Sequence, residues 1–189
     1  HDLPFSKKVA DLGHENGMEI MLHMPMEPLN AQERYELNTI FITMNEKQIV
    51  QVLDKSLLSV PYARGINNHQ GSKASLDRKT LSAVMKVLKK KNLFFLDSLT
   101  SNNSLGYKIA QEYKIPNGKR SLFLDNIGDK EYIKKQLFHL LDIAKTNGYA
   151  IGIGHDRPLT ILAIEEAIPE LEKEGAILVT VSEILKRER

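Results

Sequence analysis

The chain has 189 residues, of which 42% are hydrophobic and 26% charged, and its formal net charge is +2. This balance is typical of a globular protein and excludes a disordered chain, while the lack of cysteine excludes thiolate catalysis, cysteine-ligated zinc and disulfides. No apolar run is long enough to span a membrane, so we expect no membrane span in this chain. The one basic cluster, 86–91, lies at the end of a predicted helix, where cations suit the helix dipole, so we expect no nucleic-acid partner.

The first part of the chain alternates between helical and extended patterns. Apolar residues at helical spacing predict helices, and short apolar runs predict buried strands, the first of which is closed by Pro25. The predicted elements are, in order, a helix over 5–16, a strand over 18–22, a polar connection over 27–44, a helix over 46–58, a strand over 63–68 and a glycine-containing loop over 69–75.

The same alternation continues to the end of the chain. Ser104 is a plausible helix N-cap, and Pro169 is expected to bend or restart the helix in which it lies. The predicted elements are helices over 77–91, 104–113, 129–147 and 158–174, strands over 93–97, 121–125, 149–154 and 176–181, a turn over 116–118, and a terminal helix that starts at Ser182.

Six predicted strands that alternate with helices indicate parallel pairing through right-handed crossovers. A closed or nearly closed βα barrel and an open doubly wound sheet both fit this count. We expect one domain over residues 1–189. Because such folds rarely begin with a helix, we also expect a first strand to be missing upstream of the sequence.

The candidate functional residues share one position, at or just after the end of a predicted strand. They are His23, His69, His155, Asp97 and Asp125, with Glu27 four residues after His23. Ligands of parallel α/β folds gather beyond the carboxyl ends of the strands. Imidazole and carboxylate together suit a hydrolytic divalent ion, and a further histidine suits a proton donor. On spacing alone, the two aspartates are equally well explained as helix caps or turn formers.

Five strings carry a family resemblance. They are EIMLHMPMEP (19–28), GINNHQGS (65–72), FFLDSLT (94–100), FLDN (123–126) and IGIGHDRPLT (151–160). In this order they resemble the divergent polysaccharide deacetylase family, relatives of the NodB-type carbohydrate esterases, over nearly the whole chain. The resemblance implies an α/β fold, a deformed (β/α) barrel whose C-terminal face holds a divalent metal, usually zinc.

The resemblance also implies a ligand set. NodB-type enzymes bind the metal through two histidines and one Asp of a first strand, and a second Asp of that strand is the general base; this sequence contains no such Asp pair. His23 matches the first histidine. The second histidine of the relatives is replaced by Glu27, so either Glu27 or His69, from the loop after the next strand, is the second ligand. We rank His69 first.

The remaining site residues follow from the same resemblance. His155 matches the late histidine of the relatives, which acts as an acid or polarises the oxyanion, and Asp97 matches the carboxylate that orients it. Asn67 and Asn68 either contact sugar or stiffen their loop. Asp125 is a further candidate for substrate binding.

The implied function is hydrolysis of N-acetyl groups from a polysaccharide by a zinc-dependent, exported enzyme. A carbohydrate-binding or scaffolding protein with the same barrel but no catalysis is the main alternative; Glu27 in place of histidine favours it, and the lack of tryptophan weighs against it. Another metal hydrolase, such as a phosphoesterase, is the third possibility. The lack of a glycine-rich phosphate-binding loop near the predicted strand ends weighs against it.

Overall fold

A computed structural model describes residues 5–30, 32 and 34–187. These residues divide into two compact units. The first contains the chain up to Lys119 together with the segment that begins at Leu185, and the second is Arg120–Ile184. One domain over the whole chain stays a prediction.

The first unit is built on a four-stranded parallel sheet whose strands lie in chain order. Its elements are α1 (Ser6–Glu15), β1 (Met21–Met26), α2 (Glu46–Ser59), β2 (Gly65–Gln70), a 3-10 turn (Ala74–Leu76), α3 (Arg78–Lys91), β3 (Phe94–Asp97), α4 (Gly106–Glu112) and β4 (Asn117–Lys119). Local chemistry fixes the helix ends: Asn45 and Gln48 form a capping box on α2, and Asp77 accepts from the Thr80 amide of α3. The core packs Leu22, Ile66 and Phe95 of the strands against the helices.

The second unit contains a two-stranded parallel sheet and two long helices. Its elements are β5 (Leu122–Phe123), α5 (Lys130–Asn147), β6 (Gly152–Ile153) and α6 (Pro158–Lys173). Asp129 caps the start of α5, and Gly148 ends it at a φ of 85° that favours glycine. The apolar faces of α5 and α6 share a core that includes Leu137, Ala163 and Leu171. A last helix, α7, covers Val181–Arg187.

Parallel strands joined by helices confirm the predicted α/β class and are consistent with the deformed (β/α) barrel that the resemblance implies. None of the helices in the described part of the chain is long and apolar enough to cross a membrane.

Four predicted elements need correction. The first strand, predicted over 18–22, runs over Met21–Met26. Pro25 does not end it, because its backbone faces the outer edge of β1, where no N–H is needed and its carbonyl accepts from the Ile40 amide. Two residues of the predicted turn at 116–118, Asn117 and Gly118, lie in β4, and Pro169 lies exposed inside the continuous helix α6.

The fourth correction concerns the predicted last strand, 176–181. Residues 176–180 form no strand, since no strand in the described ranges pairs with them, and Ile177 and Leu178 are 80% and 59% exposed. The terminal helix begins one residue before the predicted Ser182, with the side chain of Glu183 accepting from the Thr180 amide.

Candidate functional site

Two imidazoles meet on the sheet of the first unit. His23 on β1 is opposite Asn67 on β2, and His69 lies two residues farther along β2, opposite Pro25. Side chains at this period share a sheet face. Nε2 of His23 and Nδ1 of His69 are 2.9 Å apart, and the ring planes make an angle of 66°. Of the two alternatives for the partner of His23, the structure brings His69 against it.

The outer nitrogens of both rings face oxygen acceptors. Nδ1 of His23 lies 3.0 Å from Oδ1 of Asn67, and Nε2 of His69 lies 3.1 Å from Oε1 of Glu36. Amide and ionised carboxylate oxygens accept but do not donate, so each outer nitrogen carries a proton. The two inner nitrogens lie within hydrogen-bonding distance of each other, so a proton on one of them, or a metal ion bound by both, can join the rings. Metal-bound histidines commonly show this arrangement, with the second ring nitrogen donating to an oxygen.

The distance between the inner nitrogens allows a test of fit for zinc. Two nitrogens on one tetrahedral zinc, each bonded at about 2.0 to 2.1 Å, lie about 3.3 Å apart. The rings would have to separate by about 0.4 Å from their present contact. The pair thus fits two ligand positions. Among the residues that the structure describes, no three His, Asp or Glu side chains are grouped to hold a metal ion.

Glu27 has a different place from the one its position in the motif suggests. Its side chain is buried; one carboxylate oxygen accepts from Nζ of Lys73 at 2.6 Å and the other from the Ile42 amide at 2.8 Å. The hydrogen bond from Lys73 raises the pKa of that lysine. The Glu27 carbonyl also accepts from the Lys73 and Ala74 amides. Glu27 therefore joins the end of β1 to the loop after β2, which accounts for both oxygens without a metal.

The two asparagines of β2 are buried and bonded within the protein. Asn67 holds His23 through its oxygen and donates to Oγ of Ser98 at 3.1 Å. Asn68 accepts from the Ser98 amide and donates to the Gln70 carbonyl and to Oγ1 of Thr100. These contacts stiffen the loops after β2 and β3, and contact with sugar stays a prediction. Asn67 additionally orients a site imidazole.

A second imidazole–carboxylate pair lies in the second unit. Asp125 follows β5 and is 1% exposed; Oδ1 is 2.9 Å from Nδ1 of His155, and Oδ2 accepts from the His155 amide and from Oγ1 of Thr160. Burial raises the pKa of Asp125, but the hydrogen bonds from His155 and Thr160 outweigh it, so the pKa lies below its ordinary value. The His155 side chain is 51% exposed and open to a ligand. Asp125 thus positions His155, and its predicted contact with substrate stays a prediction.

Asp97 was predicted to orient His155, and the carboxylate that contacts His155 is instead Asp125. Asp97 is completely buried at the end of β3, where Oδ1 accepts from the Leu99 amide and Oδ2 from Oγ of Ser104 and the amide of Tyr107. These bonds fold the loop after β3 and anchor the first turn of α4. The sequence contained the better signal: Asp125 and His155 end consecutive predicted strands joined by one helix, and such strands usually pair.

Three contributors were not predicted. Glu36 lies inside the long connection between β1 and α2, Ser98 follows a strand that already ended in Asp97, and Thr160 lies in the first turn of α6. Of these, only Thr160 had a usable signal, because it is five residues after His155 at the start of a predicted helix. Nothing in the pattern around Glu36 separates it from other exposed acidic residues.

Known proteins place the chain in a family. The family described as divergent polysaccharide deacetylase matches residues 2–185. The chain is 35% identical to the uncharacterized protein YibQ of Escherichia coli K12, over 90% of the chain and 53% of YibQ. It is 32% identical to an uncharacterized protein of Haemophilus influenzae, over 90% of the chain and 61% of that protein. The chain thus spans just over half the length of these curated relatives.

A solved structure agrees with this placement. The crystal structure of the uncharacterized protein ATU2773 from Agrobacterium tumefaciens C58 is 27% identical, superposes with a TM-score of 0.93 and covers 97% of this chain and 75% of its own. With the family match over almost the entire sequence and the similarity to YibQ, the chain belongs to the divergent polysaccharide deacetylase family.

Proposed function

We propose that the protein is a metal-dependent hydrolase that removes N-acetyl groups from a polysaccharide, with zinc as the expected ion. The observation that carries the proposal is the pair of inner nitrogens of His23 and His69, 2.9 Å apart, with both outer nitrogens bound to oxygen. Family membership supports the reaction and the substrate class. Because the family acts on polysaccharides, we also propose that the protein works outside the cytoplasm.

In this proposal His23 through Nε2 and His69 through Nδ1 hold the ion. A divalent ion, when bound, supplies a Lewis acid that polarises a carbonyl and makes water more acidic. The protein's own part is orientation: Asn67 and Glu36 fix the two rings, so that both inner nitrogens are ready without a change of tautomer. This preorganisation avoids the cost of aligning the ligands at each binding event.

His155 is assigned the proton that amide hydrolysis requires. When the C–N bond breaks, the nitrogen must leave as an amine, which needs a proton donor. With Asp125 ionised, Nδ1 of His155 keeps its proton towards the carboxylate, and Nε2 remains to donate. After transfer, the amine carries the new N–H bond and His155 is neutral with its proton on Nδ1.

Metal binding and acetate release together test the proposal. We would titrate metal-free, full-length protein with Zn²⁺ and measure acetate released from N-acetylated glucosamine polymers. His23→Ala and His69→Ala should abolish stoichiometric binding, whereas His139→Ala, an exposed histidine of α5, should bind like wild type. His155→Ala should keep the metal and lose turnover by about 10²-fold or more.

The outcomes separate the parts of the proposal. Full activity of His155→Ala would remove its role as proton donor. Wild-type protein that binds no divalent ion after addition, and releases no acetate, would refute the hydrolase and leave the non-catalytic carbohydrate-binding alternative, which a glycan pull-down without product would support.

A further inference from the structure

Glu36 contacts the imidazole pair from outside the sheet. It lies in the connection between β1 and α2, and its Oε1 is 3.1 Å from Nε2 of His69. Its backbone is fixed, because the amide and hydroxyl of Thr39 both donate to the Glu36 carbonyl. Ile40, which follows Thr39, donates a backbone hydrogen bond to the carbonyl of Pro25 and accepts one from the amide of Glu27 at the end of β1. The carboxylate is thus held near His69 by a pinned backbone.

We infer that Glu36 is a positioning residue that selects which ring nitrogen of His69 faces His23; for its consequence in metal binding, this inference rests on the proposed function. A histidine has two ring nitrogens, and Glu36 engages Nε2. Nδ1 is then the nitrogen left for the inner position, where it lies 2.9 Å from Nε2 of His23.

The two rings therefore present opposite nitrogens. His23 is bonded to Asn67 through Nδ1 and presents Nε2, whereas His69 is bonded to Glu36 through Nε2 and presents Nδ1. The difference follows from the sheet: Asn67 is directly opposite His23 in the register, beside Nδ1, while Glu36 approaches His69 from the connection. A cation shared by the rings would be bound by one nitrogen of each kind.

The two positioning residues also differ in burial. Asn67 is 9% exposed and anchored to Ser98, whereas the side chain of Glu36 is 50% exposed. An exposed ion pair contributes little to folding stability. Substitution of Glu36 should therefore leave the fold intact and act on the orientation of His69, which makes its role measurable apart from unfolding.

The first test needs no metal. Side-chain ¹⁵N NMR of metal-free protein reports which ring nitrogen of His69 carries a proton. We expect Nε2 in the wild type, a weaker preference for Nε2 in Glu36→Ala, and retention in Glu36→Gln, whose amide oxygen still accepts. Glu46→Ala, which removes another exposed, ion-paired carboxylate of the same unit, is the matched control and should match wild type. An unchanged His69 spectrum in Glu36→Ala would overturn the inference.

The second test uses the metal alone. In protein loaded with ¹¹³Cd²⁺, couplings to ¹⁵N should identify Nδ1 of His69 and Nε2 of His23. Glu36→Ala should bind Zn²⁺ about 10- to 100-fold more weakly, with Glu46→Ala unchanged. Equal affinity and unchanged Nδ1 coordination in Glu36→Ala would overturn the inference while the proposed function stands. Absence of binding in wild type would count against the proposed function, and the metal-free spectra would still decide the role of Glu36.

Discussion

Replacing Asp125 by asparagine exchanges one carboxylate oxygen of the pair formed with His155 for an amino group. The carboxylate accepts three hydrogen bonds, two at Oδ2 from the His155 amide and Oγ1 of Thr160, and one at Oδ1 from Nδ1 of His155. An asparagine oxygen at the Oδ2 position keeps the first two. Its amino group then faces Nδ1 of His155, donor against donor, unless His155 moves its proton to Nε2.

The expected cost to folding follows from these bonds. Because Asp125→Asn can still make all three contacts once the histidine tautomer changes, we expect a loss of about 1 to 2 kcal/mol, the difference between charged and neutral acceptors. Asp125→Ala leaves three donors without their acceptor and should cost about 3 kcal/mol or more. Denaturant unfolding at pH 7 measures both values.

The pH dependence has a defined sign. The pKa of Asp125 is lowered on folding, so its stabilisation is complete above the ordinary aspartate pKa and is lost as the pH falls through the lower folded-state pKa. The part of the stability difference between wild type and Asp125→Asn that comes from ionisation of Asp125 should therefore be constant at neutral pH. It should shrink only below about pH 4.

Catalysis should be affected more than stability. With its proton on Nε2 and an amide donor at Nδ1, His155 can no longer carry a second proton against a negative charge. We expect turnover to fall by about 10²-fold or more, with Zn²⁺ affinity unchanged. Side-chain ¹⁵N NMR should show His155 protonated at Nε2 in the variant. A variant that keeps the Nδ1 proton and wild-type turnover would refute this reasoning.

Three further substitutions test the remaining assignments. Glu27→Gln should lower the free energy of unfolding by about 1 to 3 kcal/mol, because it loses the charged contact to Lys73, and should leave Zn²⁺ affinity unchanged in calorimetry; weaker binding in a fully stable variant would restore Glu27 as a ligand. Asn67→Ala should weaken Zn²⁺ binding about tenfold or more, and unchanged affinity would exclude its role in holding His23. Asp97→Asn should destabilise the protein by about 2 kcal/mol in denaturant unfolding, and its Zn²⁺ affinity should stay as in wild type. Weaker Zn²⁺ binding in a variant of unchanged stability would contradict this assignment.

The order and type of most elements could be predicted because hydrophobic periodicity is a local property. Strand ends could not, and Pro25 shows why: a proline disrupts a strand only where its N–H would be bonded, and that depends on which edge it faces. The failure at 176–181 has a related cause. An apolar, β-prone run becomes a strand only when another strand lies beside it, and pairing is not encoded in the run itself.

The candidate site was predictable as a set of residues but not as a set of partners. Asp97 and Asp125 both end strands and are both buried, and only the contacts of the folded chain show that Asp125 holds His155 while Asp97 anchors the loop before α4. The position of Glu36 could not be predicted, because it lies in a connection without a periodic pattern. The path of that connection is set by the backbone hydrogen bonds of Ile40 to the end of β1.

The placement of His23 and His69 on neighbouring strands has a mechanical consequence. The two residues are 46 positions apart in a chain without cysteine, and the helix α2 lies between them. A cation shared by the rings would close this segment into a ring, and unlike a disulfide it would do so only in the folded chain. It would bind only when β1 and β2 are paired in the native register, so each tenfold excess of free ion over its dissociation constant would add about 1.4 kcal/mol against unfolding. The pairing of β1 with β2 brings the two rings together, and a cation bound by both rings would in turn stabilise that pairing.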